Sequence, residues 1–348
     1  MKKTVSVCIA ARNESDNLRN LLMALVNQTY PKELYEVFIA DDGSEDNSRE
    51  IVRSFAEKYT NIHLLEINDR ELVVSPKKNA LTKAISHAKG EIILTTDADC
   101  VVPVTWIESM VSAFYDESVS LVAGYSRIHL QDWKHASILH KFEFYDFAAL
   151  YSAVIGSYAW GHGFTCVGQN LAYTRKAFDE INGFESIKHL ISGDDVNLMQ
   201  TMKKRGFKTI FNFDKNSFVY TNRIMGWKQL INQRSRWAWN LKWQMKLRPI
   251  FFWIVFLVLS YFTSIIALIF TNWQWAALLA GFRVLLEIIY LSIGFRYLDV
   301  EPERIRFYPI WSVLMPILYL VTVPMGHFNM FVWYGKKPQK INKLARAK

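Results

Sequence analysis

Short apolar runs alternate with amphipathic stretches through the first third of the chain. The runs at 5–11, 36–40, 62–67, 91–96 and 120–124 are nearly continuous in apolar side chains, as strands buried on both faces require. Between them, 16–28, 47–59, 76–88 and 104–115 carry apolar residues at helical spacing. This strict alternation predicts an α/β domain built on a mostly parallel, doubly wound sheet. Ligands of such sheets bind beyond the carboxyl ends of the strands. Three of those ends carry acids or amides: Asn13–Glu14, Asp41–Asp42 and Asp97–Asp99.

The periodicity weakens from Gln131 to Tyr220, apart from a glycine-rich aromatic stretch, YAWGHGFTCVGQN, and a helical pattern over 194–204. Residues 226–248 then read as a Trp-rich, basic amphipathic helix suited to a membrane interface. Apolar segments follow at 249–270, 273–294 and 307–334; the first two are long enough to cross a hydrocarbon layer of about 30 Å. Pro309, Pro316 and Pro324 leave two expectations for the third: a single kinked crossing, or a break into a re-entrant hairpin. The expected division is a globular domain over 1–225, an interfacial helix over 226–248, membrane segments over 249–334 and a basic tail over 335–348.

Composition sharpens this picture. Of 348 residues, 51% are hydrophobic and 21% charged, which excludes a disordered or collagen-like chain. A mean hydropathy of +0.04 averages a soluble first part and an apolar second one. The net charge of +9 is concentrated in 223–248 and 335–348, which hold 13 basic residues and no acid. The rest carries 28 basic against 32 acidic residues, so no basic face for nucleic acid is expected. Basic segments beside apolar ones mark the cytoplasmic side of a bilayer, which puts the globular domain and the tail in the cytoplasm, with anionic membrane lipids as neighbours. Cys8, Cys100 and Cys166 are widely spaced with no C-x-x-C, so neither a disulfide framework nor a zinc site is suggested. Arg12 interrupts the first apolar run too early for a signal core.

The strand ends supply the candidate chemistry. Asp97 and Asp99, one residue apart in a turn, can aim at one hard divalent cation, Mg²⁺ or Mn²⁺, which would neutralise a diphosphate leaving group. The same spacing also serves an ordinary Asx turn. Asp41-Asp42-Gly43-Ser44 is either a turn capping the next helix or a carboxylate shelf for a nucleobase and ribose. Lys77 and Lys78 open a helix, where they either meet phosphate or stand exposed. In Gly193-Asp194-Asp195 one acid suits the helix N-cap and the other a general base. Gln233, Arg236 and Trp237 share one helix face, offering an amide, a phosphate clamp and a stacking ring. Arg283 and Glu287, four apart in the second apolar segment, read either as a mutual ion pair or as a head-group site.

The order of SVCIAARNESDNL, IADDGSEDNS, KKNALTKAISHAKGEIILTTDADC, GQNLAYTRKAF, GDDVNL and QRSRW resembles the family 2 glycosyltransferases of the GT-A fold over about residues 4–240. With its C-terminal apolar segments the chain is similar to the membrane-bound branch, which includes cellulose and hyaluronan synthases and lipid glycosyltransferases. The resemblance implies inverting transfer from a nucleotide sugar, commonly a UDP-sugar. By it, Glu14, Asp41, Asp42 and Lys77 would bind the nucleoside and donor, and Asp97 and Asp99 the diphosphate and metal. Asp195, or its neighbour Asp194, would be the base, because the family's Thr-Glu-Asp slot reads Gly-Asp-Asp here. Gln233, Arg236 and Trp237 would clamp donor and acceptor. Two or three spans are too few to line a polysaccharide channel. The expected acceptor is therefore a membrane lipid or lipid-linked glycan at the cytoplasmic face of the plasma membrane. A processive polysaccharide synthase is the alternative, and a catalytically silent nucleotide-binding membrane protein a further one.

Overall fold

The computed structural model describes residues 2–67, 74–248 and 250–332. Its first half contains β1 (Val5–Ala11), α1 (Ser15–Val26), β2 (Tyr35–Asp41), α2 (Ser48–Ala56), β3 (Ile62–Glu66), α3 (Pro76–His87), β4 (Ile92–Thr95), β5 (Cys100–Val101), α4 (Trp106–Ser112), β6 (Val119–Ala123), β7 (Ser126–Ile128) and α5 (Ile138–Ala159). The second half adds β8 (Leu171–Thr174), α6 (Arg175–Glu180), α7 (Val196–Lys204), β9 (Lys208–Phe211), β10 (Val219–Thr221), α8 (Trp227–Leu247), α9 (Ile250–Thr271), α10 (Trp273–Tyr297) and α11 (Tyr308–His327).

The main sheet has the order β3-β2-β1-β4-β8-β6-β9. Its strands are parallel except β8, which runs antiparallel to both neighbours. One face is covered by α1, α2 and α4 through Leu18, Leu22, Val52, Phe55, Trp106 and Met110. The other packs on α3, α5 and α7 through Leu81, Ile85, Tyr151 and Met199. The doubly wound prediction is therefore met, and the five expected strands lie within a residue of the observed ends. Periodicity missed β8 and β9, which are four residues long and include polar side chains. A second small sheet, β5-β10-β7, sits just past the Asp97–Asp99 turn.

The weakly patterned middle of the chain conceals α5, a helix of 22 residues with buried side chains nearly all round. It lacks a polar stripe because the sheet covers one side and α10 and α11 cover the other. The approach of α10 is close: a Cβ on Gly294 would lie 2.3 Å from Ser152 Cβ and 2.9 Å from its Cα. Trp273–Tyr297 and Pro302–His327 are long and apolar enough to cross a membrane. Their outer faces expose Leu278, Phe282, Leu285, Ile289, Val313, Ile317 and Leu320. Glu287 joins them, accepting from Arg283 Nε at 2.7 Å and from the Tyr308 hydroxyl at 2.6 Å. That arrangement matches the ion-pair reading.

Of the two expectations for the third apolar segment, the break does not occur within α11, which runs on through Pro316 and Pro324. Pro309 occupies the first turn, where no N–H is needed, and a proline deeper in a helix can bend it without ending it. Past His327 the chain instead folds onto α8, where Trp239 donates to Asn329 Oδ1 at 2.7 Å and the Asn232 amide exchanges two bonds of 2.7 Å with the Val332 backbone. The basic tail and the side of the membrane assigned to it lie outside the described residues.

The α5–α10 contact yields a direct prediction. Gly294→Ala forces two backbones apart and is expected to cost about 1–3 kcal/mol. Gly281→Ala, on the same helix with nothing within 4 Å, is expected to be neutral or stabilising. Thermal unfolding in detergent compares the two; equal midpoints would refute the close packing.

Candidate active site

The first two strand-end loops form one unit. Asn13, at a left-handed φ of 53°, donates its N–H to Ser44 Oγ (2.9 Å) and accepts from the Glu45 N–H (2.8 Å). The Glu14 N–H donates to Ser48 Oγ at 2.8 Å, and the Ser15 N–H to Asp46 at 3.0 Å. This lacing ties the loop that carries Glu14 to the loop that follows the buried Asp41 and Asp42. Asp41 Oδ2 accepts from Arg49 Nε at 2.6 Å and from the Ser44 N–H at 3.1 Å. Burial raises the pKa of Glu14, and the charge of Asp97 adds to the shift.

At the end of β4, Lys77 Nζ lies 2.7 Å from Asp97 Oδ1 and 3.0 Å from Asp194 Oδ2. Burial opposes its charge, but Asp194 and Asp97 outweigh that and hold the ammonium's pKa well above the ordinary value. Asp99 is pushed up to about 7, first by burial and then by the charges of Asp97 and Glu14. Negative charge is thus crowded around carboxylate oxygens, a donor set that suits Mg²⁺ or Mn²⁺. Among the described residues no three His, Cys, Asp or Glu side chains make a complete metal site. A cation on Asp97 and Asp99 would therefore draw further ligands from solvent or a diphosphate.

Neither acid before α7 stands free. Asp195 is the N-cap, accepting from the Val196 N–H at 2.6 Å through Oδ1 and from the Gly168 N–H at 3.0 Å through Oδ2. Burial, and next the charge of Asp194, raises it to about 6. Asp194 moves the other way: burial opposes its charge, but Lys77 and Lys78 prevail and its pKa falls. Gly193 takes a φ of +84°, which a threonine would adopt only with strain; this accounts for glycine in that slot. Lys78 is not exposed. It is 3% accessible and donates to the Leu190 carbonyl at 2.5 Å and the Ser192 carbonyl at 3.3 Å.

One cleft of ≈ 490 Å³ brings together Lys77, Asp97, Asp99, Asp194, Asp195, Gln233, Arg236 and Trp237. Its apolar wall comes from Phe147, Leu150, Tyr151 and Val154 of α5 and Leu241 of α8. Glu14, Asp41 and Asp42 lie at adjoining strand ends and do not line it. Sequence reasoning missed Glu143, which also lines the cleft, accepts the Ile224 N–H through both oxygens (3.2 and 3.1 Å) and is raised to about 7 by burial. It missed Arg234 and Asp146 as well. A lone acid within an apolar helix carries no motif to find it by, whereas Arg234 stood in plain view between two selected residues.

Gly168 sets the spacing of the acids. A Cβ there would sit 3.1 Å from Asp194 Oδ2 and 3.4 Å from Lys77 Nζ. Gly168→Ala should therefore displace the carboxylate–ammonium pair and cut activity roughly tenfold or more. Its unfolding midpoint should stay near that of the wild type, because the pair has to shift by only a few tenths of an ångström and remains paired. Turnover and thermal unfolding measured together check both halves.

Residues 6–182, just over half of the chain, match the domain described as Glycosyl transferase family 2. A probable glycosyltransferase of Bacillus subtilis, YdaM, is 26% identical over 341 residues, 94% of this chain and 77% of that protein. A beta-monoglucosyldiacylglycerol synthase of Trichormus variabilis is 33% identical over 118 residues, 34% of this chain and 25% of that protein. Other curated relatives are also matched over less than half of their length. Among solved structures, the mannosyltransferase PcManGT of Pyrobaculum calidifontis, in complex with GDP-Man and Mn²⁺, superposes with a TM-score of 0.58 at 19% identity, over 90% of this chain and 88% of that one. That likeness is one of fold. The chain belongs to glycosyl transferase family 2 and is a glycosyltransferase of the GT-A fold.

Proposed function

We propose that this enzyme moves one sugar at a time, with inversion, from a UDP-sugar to a hydroxyl of a membrane lipid or lipid-linked glycan at the cytoplasmic face of the plasma membrane. The observation that carries the reading is the single cleft shared by Asp97–Asp99, Asp194–Asp195 and the α8 residues Gln233, Arg236 and Trp237. The wall from α5 supports a lipid acceptor, because it gives an amphiphile an apolar surface beside the acids. Behind that wall lie α10 and α11, helices apolar enough to cross a membrane. The resemblance to a glucosyldiacylglycerol synthase points the same way.

On this reading Glu14, Asp41 and Asp42 receive the nucleoside. Asp97 and Asp99 would hold Mg²⁺ or Mn²⁺, which when bound neutralises charge on the departing diphosphate. Lys77 holds Asp97 and Asp194 in place and, with Lys78, keeps the pKa of Asp194 low. Asp195 accepts the acceptor's hydroxyl proton as that oxygen bonds to the anomeric carbon and the bond to the diphosphate breaks. A pKa of about 6 suits it, since a base works best when its pKa lies near the working pH. Asp194, ion-paired and held low, is the poorer base. Gln233, Arg236 and Trp237 close over the reacting groups from α8.

Incubation in native lipid extract with a panel of UDP- and GDP-sugars, read by mass spectrometry, tests the proposal. One added sugar on a lipid is expected. A ladder of masses would favour a processive synthase, and sugar release without any glycosylated lipid would overturn the acceptor assignment.

Four outcomes follow from the assigned roles. Asp195→Asn is expected to retain UDP binding and lose transfer by a factor of about 100 or more. Activity requires Asp195 deprotonated, so in the wild type it should fall as the pH drops through about 6. Asp194→Asn removes a negative neighbour that raises Asp195, so the acid limb should move to lower pH with a milder loss of transfer; a larger loss than that of Asp195→Asn would exchange the two roles. Asp97→Ala and Asp99→Ala should abolish transfer and remove the effect of Mn²⁺ on UDP affinity, and full activity of either in excess EDTA would end the metal assignment.

A further inference from the structure

A residue outside the α8 clamp holds two of its members. Arg234 is 5% exposed. Its Nη2 and Nε donate to Asp146 Oδ2 of α5 at 2.8 and 3.1 Å. Its Nη1 donates to Gln233 Oε1 at 2.7 Å, and the guanidinium carbon lies 4.1 Å from the centre of the Trp237 ring. The remaining oxygen of Asp146 accepts from the indole Nε1 of Trp311, on α11, at 3.3 Å. Asp146 and Trp311 are buried as deeply as Arg234.

Each contact has a directional consequence. A guanidinium has donors and no acceptor, so only the oxygen of the Gln233 amide can face it. The amide's NH₂ is therefore turned away from Arg234, and Gln233 offers donors to the cleft that it lines. Such donors suit a sugar hydroxyl or a phosphate oxygen. On Trp237, the guanidinium stacked against one face of the indole fixes the plane of the ring. A cation this deeply buried needs its counter-charge, and Asp146 supplies it. Trp311 in turn orients Asp146, so the chain of contacts runs from α11 through α5 to α8.

We propose that Arg234, held by Asp146 and Trp311, is a positioning residue that sets the donor pattern of Gln233 and the plane of Trp237. The cleft is then competent only while α11 is docked on α5 and α8. The inference rests on the reading of Gln233 and Trp237 as the clamp.

The test uses the full chain in native-lipid nanodiscs, with UDP binding in Mn²⁺ by calorimetry, transfer kinetics with the active donor from the sugar panel, and thermal unfolding. Arg234→Lys keeps a charge for Asp146 but lacks the planar fork, so it cannot serve Asp146, Gln233 and Trp237 together. It should unfold near the wild-type temperature and lose roughly tenfold or more in kcat/KM. Trp311→Phe, which removes only the indole donor, should lose activity in the same sense, to a smaller extent. The decisive reading is the double variant of Gln233→Ala with Arg234→Lys. Its loss should be clearly smaller than the product of the single losses, because the lysine removes help that an alanine at 233 can no longer use. Losses that multiply, or an Arg234→Lys enzyme with wild-type kinetics, would overturn the inference. Should Arg234→Lys fail to fold, Trp311→Phe in the Gln233→Ala background gives the same comparison, and multiplying losses there would overturn it too. Wild-type activity of both Gln233→Ala and Trp237→Ala would instead overturn the clamp reading beneath it.

Discussion

A single ammonium group ties the two ends of the cleft together. Lys77 reaches Asp97 at the end of β4 and Asp194 ahead of α7, segments nearly 100 residues apart in the chain. Placing a cation in the first turn of a helix runs against the helix dipole, and burying it costs several kcal/mol more. Two carboxylates make the position tenable. Lys78 follows immediately and, turned to a different side by the helical rotation, holds the Leu190 and Ser192 carbonyls from behind. The start of α3 thus fixes the acid loop by charge from one direction and by hydrogen bonds from another. Ser75 as N-cap and Pro76 in the first turn hold the start of α3 in place.

The second organising element is α5, and it joins what the sequence separates. A boundary near residue 225 describes the change in composition, but the hydrophobic cluster continues across it. Phe142, Tyr145 and Tyr151 share that cluster with Leu291, Phe295, Tyr308 and Trp311. Interiors packed at this density transmit displacements instead of absorbing them. A shift of α10 or α11 would therefore reach the apolar wall of the cleft through α5, and the clamp residues through α8. The helices apolar enough to enter a membrane support the site from behind, through α5 and α8.

What could be read from the sequence follows from how local each signal is. The strands β1 to β4 and β6 and the acids at their ends were legible, because continuous apolar runs and Asp-rich turns occupy adjacent positions. The QRSRW segment was found through three side chains on one helix face, yet the buried arginine among them was passed over. Its role depends on Asp146, 88 positions earlier, and no short motif encodes such a pairing. Lys78 was read as an exposed or phosphate-facing lysine for the same reason, since its carbonyl partners lie more than 110 residues away. The prolines of α11 left a break and a kinked helix both open because proline is a local signal, whereas packing against α8 and α5 sustains the helix through them.

The two acids before α7 show how position outweighs residue type. They are neighbours of identical chemistry, and burial presses both toward the neutral form. What separates them is the direction each side chain takes after the left-handed turn at Gly193. Asp194 is sent to two lysines and its charge is retained. Asp195 is sent to two backbone N–H groups, whose partial charges only partly offset burial and the repulsion of Asp194. One residue becomes a fixed countercharge and the other a group able to change protonation near neutral pH, and proton transfer requires a group of the second kind. A threonine in place of Gly193 would need a different backbone, and with it a different division of labour between the acids. The glycine that departs from the family pattern is thus part of the mechanism by which this chain separates its two carboxylates.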